Sequence, residues 1–236
     1  MAYRRARPES IIALPARTLS IGLVALFAGQ AMAGEPNAWP RANDCRAGGY
    51  APAVSEDAEV LTQLNFARTH PAAYAQYLIA FRADYRGFVV YEPGRPPIAT
   101  NEGVAAVDEA IDFMSRQPPL PPLAEDSALV QSATRFADEA GPAGIVGHFG
   151  GGGSGPGERI PAGCLGAGMI AEVISYGQSD AAAVVRQLIV DDGVRGRSHR
   201  RDIFSPALTS AGAGCGPHRV YGTMCVIDLA ARNPRR

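Results

Sequence analysis

The segment from Met169 to Asp228 restricts the fold more than any other part of the chain. Ile170, Val173, Ile174 and Tyr176 form a short apolar run closed by Gly177, the pattern of a buried strand. Ala181, Val184, Val185, Leu188 and Ile189 then recur at the spacing of a helix with one face on a core. Ser179 and Asp180 stand where an N-cap belongs, and Gly193 where a helix stops. Two further apolar runs follow, each with one cysteine, and read as paired strands. The few polar residues, Glu172, Asp191, Asp192 and His199, sit at element ends. A strand–helix–loop–strand–strand unit with acids and a histidine at its joints is where chemistry is expected.

The N-terminus reads as an address. Arg4, Arg5, Arg7 and Arg17 precede the apolar run Leu19–Ala28, and Ala31-Met32-Ala33 has the small-x-small form of a cleavage site. The run is too short for a membrane span. A signal peptide is therefore expected over residues 1–33, with export to the periplasm or medium. An extended arm should follow over 34–55, then one domain over 56–231 and a disordered tail over 232–236. The formal net charge is only −1, and removing the leader takes away four Arg and one Glu. That balance excludes the basic footprint of a nucleic-acid binder. No integral membrane segment is expected, and a monomer is.

Four cysteines in an exported chain read as disulfides, and their spacing does not suit a structural zinc site. Three pairings exist. Cys215 and Cys225 lie on adjacent strands of the expected hairpin, which favours that pair and leaves Cys45 to join Cys164.

The N-terminal half reads as helices. Val60, Leu61, Leu64 and Ala67 make one stripe from about Glu56. His70-Pro71 interrupts it, and Pro71 starts a second piece through Tyr74, Tyr77, Leu78 and Phe81. Arg82 to Pro97 reads as a loop or short hairpin. Asn101 is the expected cap of a helix to Arg116, with Val104, Val107, Ile111 and Met114 inward. Residues 118–122 are a polyproline-like connector. Asp126 or Ser127 should cap a helix carrying Leu129, Ala133, Phe136 and Ala137, which Gly141-Pro142 should stop. The glycine run 147–157 lacks the Lys of a phosphate loop and the Gly-x-Ser-x-Gly of a nucleophile elbow. Its one group of chemical interest is His148. His70 and His218 read as structural.

Taken together these segments resemble the CAP superfamily, the SCP/PR-1-like cysteine-rich secretory proteins, in its bacterial form. The resemblance rests on Leu64-Asn65-Phe66-Ala67-Arg68, on Glu172-Val173-Ile174-Ser175, on Ser198-His199-Arg200-Arg201 with Asp202-Ile203-Phe204, and on the closing hairpin from Ala213 to Leu229. Val173 stands where the family usually has Asn, and Ser198 where it has Gly. The resemblance implies an α+β fold, a three-layer α-β-α sandwich ending in an antiparallel hairpin. It also implies a cleft lined by two His and two acids: His148, Glu172, His199 and, in place of the second Glu, Asp191 or Asp192. Such a set can hold a divalent cation such as zinc, with His148, His199 and Glu172 as ligands, or move protons. A covalent hydrolase has no obvious nucleophile. Two functions follow: a non-enzymatic module binding a small-molecule, lipid, metal or envelope ligand, or a metal-dependent, peptidase-like hydrolase.

Overall fold

A computed structural model describes residues 56–160, 168–178 and 180–231. The expected signal peptide, arm, tail and Cys45–Cys164 bridge lie outside those residues. Helix α1 (Glu56–Thr69) carries its expected stripe, with Val60, Leu64 and Ala67 fully buried. Pro71 opens α2 (Pro71–Arg82), whose Tyr74, Leu78 and Phe81 face the same core. The Leu-Asn-x-x-Arg motif proves structural. Asn65 exchanges two hydrogen bonds with the backbone of Leu123 at 3.0 and 2.7 Å. Buried Arg68 donates to the carbonyls of Ile203, Ser205 and Leu208, tying α1 to the loop before the closing hairpin.

The segment after α2 is more ordered than a loop. Strands β1 (Tyr85–Arg86), β2 (Val89–Val90) and β3 (Ile98–Ala99) form a small antiparallel sheet. Helix α3 (Val104–Arg116) follows Gly103, not the expected cap Asn101; the Asn101 backbone N–H donates instead to Asp192, 2.6 Å away. Val107 and Met114 are buried as expected, with Ala106 and Ala110 alongside them, while Val104 and Ile111 are only half-buried.

Strand β4 (Ala124–Glu125) leads to α4 (Ser127–Ala143), capped by the Asp126 carboxylate. The Gly141-Pro142 pair does not end it. A Cβ at Gly141 would lie 2.2 Å from the Pro217 carbonyl oxygen, so glycine is there for close packing. The stop is Gly144 at φ 71°, with Ile145 N–H returning to the Ala140 carbonyl. A short helix α5 (Pro156–Arg159) precedes strand β5 (Ile170–Tyr176). Helix α6 (Ala181–Val190) is capped by Asp180 and ends at Asp191 in the left-handed region, two residues before the expected Gly193. A 3-10 turn (Arg195–Arg197) and α7 (Ser198–Ile203) lead to β6 (Ser210–His218) and β7 (Gly222–Ala230).

The main sheet runs β4-β6-β7-β5; β4 is parallel to β6, and the other pairs are antiparallel. One face meets α1, α2, α3 and α6 through Val173, Ala213, Ile227 and Leu229. The other meets α4 through Ile174, Met224 and Val226, with Phe136 fully buried. This is the expected three-layer α-β-α sandwich. Alternate glycines on β6 set the α4 spacing: a Cβ at Gly212 or Gly214 would meet the α4 backbone at 2.1 or 2.3 Å. The opposite residues Cys215 and Cys225 are joined as a disulfide across β6 and β7.

Candidate functional site

The four expected site residues fall into two imidazole–carboxylate pairs. His148, in the loop after α4, meets Glu172 on β5, with Nδ1 2.9 Å from Oε1. His199, in the first turn of α7, meets Asp191 at the end of α6, with Nδ1 2.7 Å from Oδ1. A carboxylate is an acceptor, so each Nδ1 carries a proton and, in the neutral ring, Nε2 keeps its lone pair. Both histidines line one cleft of about 770 Å³, with Asp191, Tyr176, Val146 and Tyr221 among its walls. That volume is in the range of small-molecule sites.

The two acids are held, not merely near. The Glu172 side chain is fully buried, and its second oxygen forms an ion pair with the equally buried Arg159. Arg159 also donates to the carbonyls of His148 and Ser154 at 2.9 and 2.8 Å and stacks 3.7 Å over Phe136. One guanidinium therefore neutralises Glu172 and orders the loop that carries His148. Asp191 adopts φ 58°, which aims its carboxylate at the start of α7. There Oδ2 accepts the backbone N–H of His199 at 3.0 Å and of Arg200 at 3.3 Å. The carboxylate caps α7 and orients its histidine together.

Asp192 faces away from this pair. It accepts the backbone N–H groups of Asn101 and Glu102 at 2.6 and 2.8 Å. Arg197, at φ 50°, bridges Glu102 and Glu109 on the α3 side and also donates to the Asp191 carbonyl. Hydrogen bonding to Arg197, with the Gly193 N–H beside it, pulls the Glu102 carboxyl down to about 2. The segment around His199 is thus stapled to α3.

Sequence reasoning missed three groups. Arg159 carried no signal, since an Arg in a short Gly-Glu-Arg turn reads as exposed. The Arg197 staple depends on residues about ninety positions apart. Asp228 interrupts the apolar run Cys225-Val226-Ile227, and that break is a usable signal. It lies opposite Glu172 in the β5–β7 register. Burial, and then repulsion from Glu172, push its carboxyl well above the ordinary range. No hydrogen bond of normal geometry reaches either of its oxygens among the described residues. His218, as expected, is structural: its Nε2 lies 3.1 Å from the Ile145 carbonyl, and Nδ1 accepts two backbone N–H groups.

These positions decide which donors a metal would find. Both oxygens of Glu172 and of Asp191 are engaged, so the carboxylates act as orienting partners of the imidazoles. Among the described residues no group of three or more His, Cys, Asp or Glu side chains converges closely enough to hold a metal ion. The ring nitrogens that these carboxylates leave unengaged are the Nε2 atoms of His148 and His199. Neither imidazole hydrogen-bonds a Ser, Thr or Cys among the described residues.

The profile of the cysteine-rich secretory protein family (CAP) matches residues 80–228, more than half of the chain. An outer surface protein of Borrelia burgdorferi is similar at 18% identity and a TM-score of 0.40, covering 48% of this chain and 80% of its own. An extracellular SCP-domain protein of Bacillus anthracis is similar at 18% identity and a TM-score of 0.40, over 55% of this chain and 38% of its own. No curated protein matches. Among the described residues no helix is long and apolar enough to cross a membrane. With the family profile spanning both histidines, both acids and the closing strands, the chain belongs to the cysteine-rich secretory protein (CAP) family.

Proposed function

We propose that this is an exported CAP-domain protein that binds a small ligand or a divalent cation in its cleft without turning it over. One observation carries the reading: two histidines on one cleft each have Nδ1 engaged by a buried carboxylate, leaving Nε2 as a fixed donor. Each Nε2 so oriented can ligate a cation or accept a hydrogen bond from a ligand, and among the described residues neither His touches the nucleophile that a covalent enzyme would need. A cation held here would supply Lewis acidity; His148 and His199 would be its protein ligands, with Glu172 and Asp191 holding the rings. Export rests on the arginine-led apolar run and the Ala31-Met32-Ala33 step.

The test is calorimetric titration with zinc at pH 7.5 and 5.5, on the wild type and on His148→Ala/His199→Ala. Metal binding requires neutral imidazole, so heat should be present at pH 7.5 and fade at pH 5.5, about a unit below the ordinary histidine value of roughly 6.5. The double variant should give none. Equal heats from both proteins would refute the site. Metal-dependent peptide cleavage lost in the same variant would convert the reading to a hydrolase.

A further inference from the structure

The cleft also contains an unpaired strand edge. Among the described residues β5 is the last strand of the sheet, bonded to β7 on one side only. The neighbouring bonds fix which residues face which way. Gly177 N–H donates to the Thr223 carbonyl, and Ala231 N–H to the Met169 carbonyl. Antiparallel pairing alternates, so residues 171, 173 and 175 bond to β7, and 170, 172, 174 and 176 point their N–H and C=O outward. Tyr176 confirms the phase. Its outward N–H and carbonyl are both taken by the Gln187 side chain, at 3.2 and 3.1 Å. The Gln187 amide stands there as one peptide unit of a missing neighbour strand.

Beyond that amide no described residue fills the edge. Among the described residues, the outward backbone groups of Glu172 and Ile174 have no hydrogen-bond partner. Ile174 itself lines the cleft, together with Val146, His148, Val190 and His199. Exposed edges are ordinarily blunted by charge, proline or a covering element. Here the edge is recessed, since Ile174 is only 6% exposed. A recessed N–H and C=O without partners carry a desolvation cost that a matching donor and acceptor would relieve.

The group that supplies a donor and an acceptor at the spacing of a strand is another extended backbone. The geometry points to an extended, apolar peptide segment as the ligand of this cleft, added to β5 as a further strand beside Glu172 and Ile174. Val146, Tyr176 and Tyr221 would meet its side chains on one face, and Phe81, Val90 and Ile98 on the other. This rests on the reading of the cleft as a binding site and names the ligand class that fits its floor.

The experiment uses the peptide acetyl-Ser-Val-Leu-Val-Leu-Ser-amide, fluorescein-labelled, in EDTA so that no metal contributes. Two analogues carry N-methyl groups on both Val or on both Leu nitrogens. Strand addition turns one of these sets toward β5 and the other away. One analogue should therefore bind at least about tenfold more weakly than the parent, and the other within about threefold, because only one loses hydrogen bonds to the protein. Amide exchange at Glu172 and Ile174 should slow when the parent peptide saturates the protein. Equal loss in both analogues, or unchanged exchange at Ile174, overturns strand addition while leaving a ligand cleft in place. No peptide binding up to about 1 mM, with zinc still bound by His148 and His199, overturns it in the same way. Absence of both overturns the cleft reading as well.

Discussion

Arg159→Met removes the cation on which the His148 half of the site depends. In the native protein the Arg159 and Glu172 side chains are both fully buried and paired, and Asp228 lies across the strand from Glu172 with its carboxyl pushed upward. Methionine keeps the packing over Phe136 but leaves two carboxyl groups side by side without a counter-charge. Breaking a buried pair by removing one partner costs about 3–5 kcal/mol. The carbonyls of His148 and Ser154 each lose a charge-assisted bond as well. Those two part-buried carbonyls can turn to water, so each loss counts for only about 0.5 kcal/mol, and a total of about 4–6 kcal/mol is a large part of the roughly 5–15 kcal/mol available to a domain. With a urea slope of about 2 kcal/mol per molar, the unfolding midpoint should fall by about 2–3 M. Urea unfolding at pH 7.5 reads this directly. The companion Arg159→Met/Glu172→Gln should recover part of the loss, because it removes the stranded charge. If the double variant is no more stable than the single one, the loss is one of packing, and the electrostatic account of this half-site is wrong.

Three further outcomes follow from the same contacts. Asp228 has a folded-state value above the ordinary 3.8, so folding takes up protons in that window and wild-type stability falls as pH rises through it. In Asp228→Asn that fall should disappear in denaturant titrations run from pH 4 upward. Gly214→Ala would place a Cβ 2.3 Å from the Thr134 nitrogen and should cost at least about 3 kcal/mol by thermal or urea unfolding, whereas Gly216→Ala, whose nearest neighbour is 3.9 Å away, should be near neutral. Arg197→Gln should weaken zinc binding by loosening the His199 segment. It should also remove the stability that Glu102 contributes above its ordinary value of 4.5 and loses as pH falls toward 2.

Much of this was legible in the residues, for reasons that can be named. The stripes of α1 and α6 show because each helix buries one face, and the strand over Ile170–Tyr176 shows because both its faces are covered. The hairpin disulfide followed from two cysteines at matching places on adjacent strands. The misses came from contacts between distant segments. Gly141-Pro142 looked like a stop because the Pro217 carbonyl that demands a glycine is not visible in sequence. Asn101 looked like a cap because Asp192, which takes its N–H, lies on another element. The choice between Asp191 and Asp192 was open in the sequence for the same reason: the turn at φ 58° sends one carboxylate to His199 and its neighbour to α3. Arg159 was invisible because its burial is created by the loop it orders.

The central claim is that His148 and His199 present fixed, unprotonated Nε2 atoms to one cleft. Long-range nitrogen–proton NMR of the two rings at pH 7.5, before and after addition of zinc, tests it most directly. Both rings should carry their proton on Nδ1, and zinc should shift the Nε2 resonances of both together. Protons on Nε2 in the free protein, or zinc that leaves either Nε2 unmoved, would contradict the account.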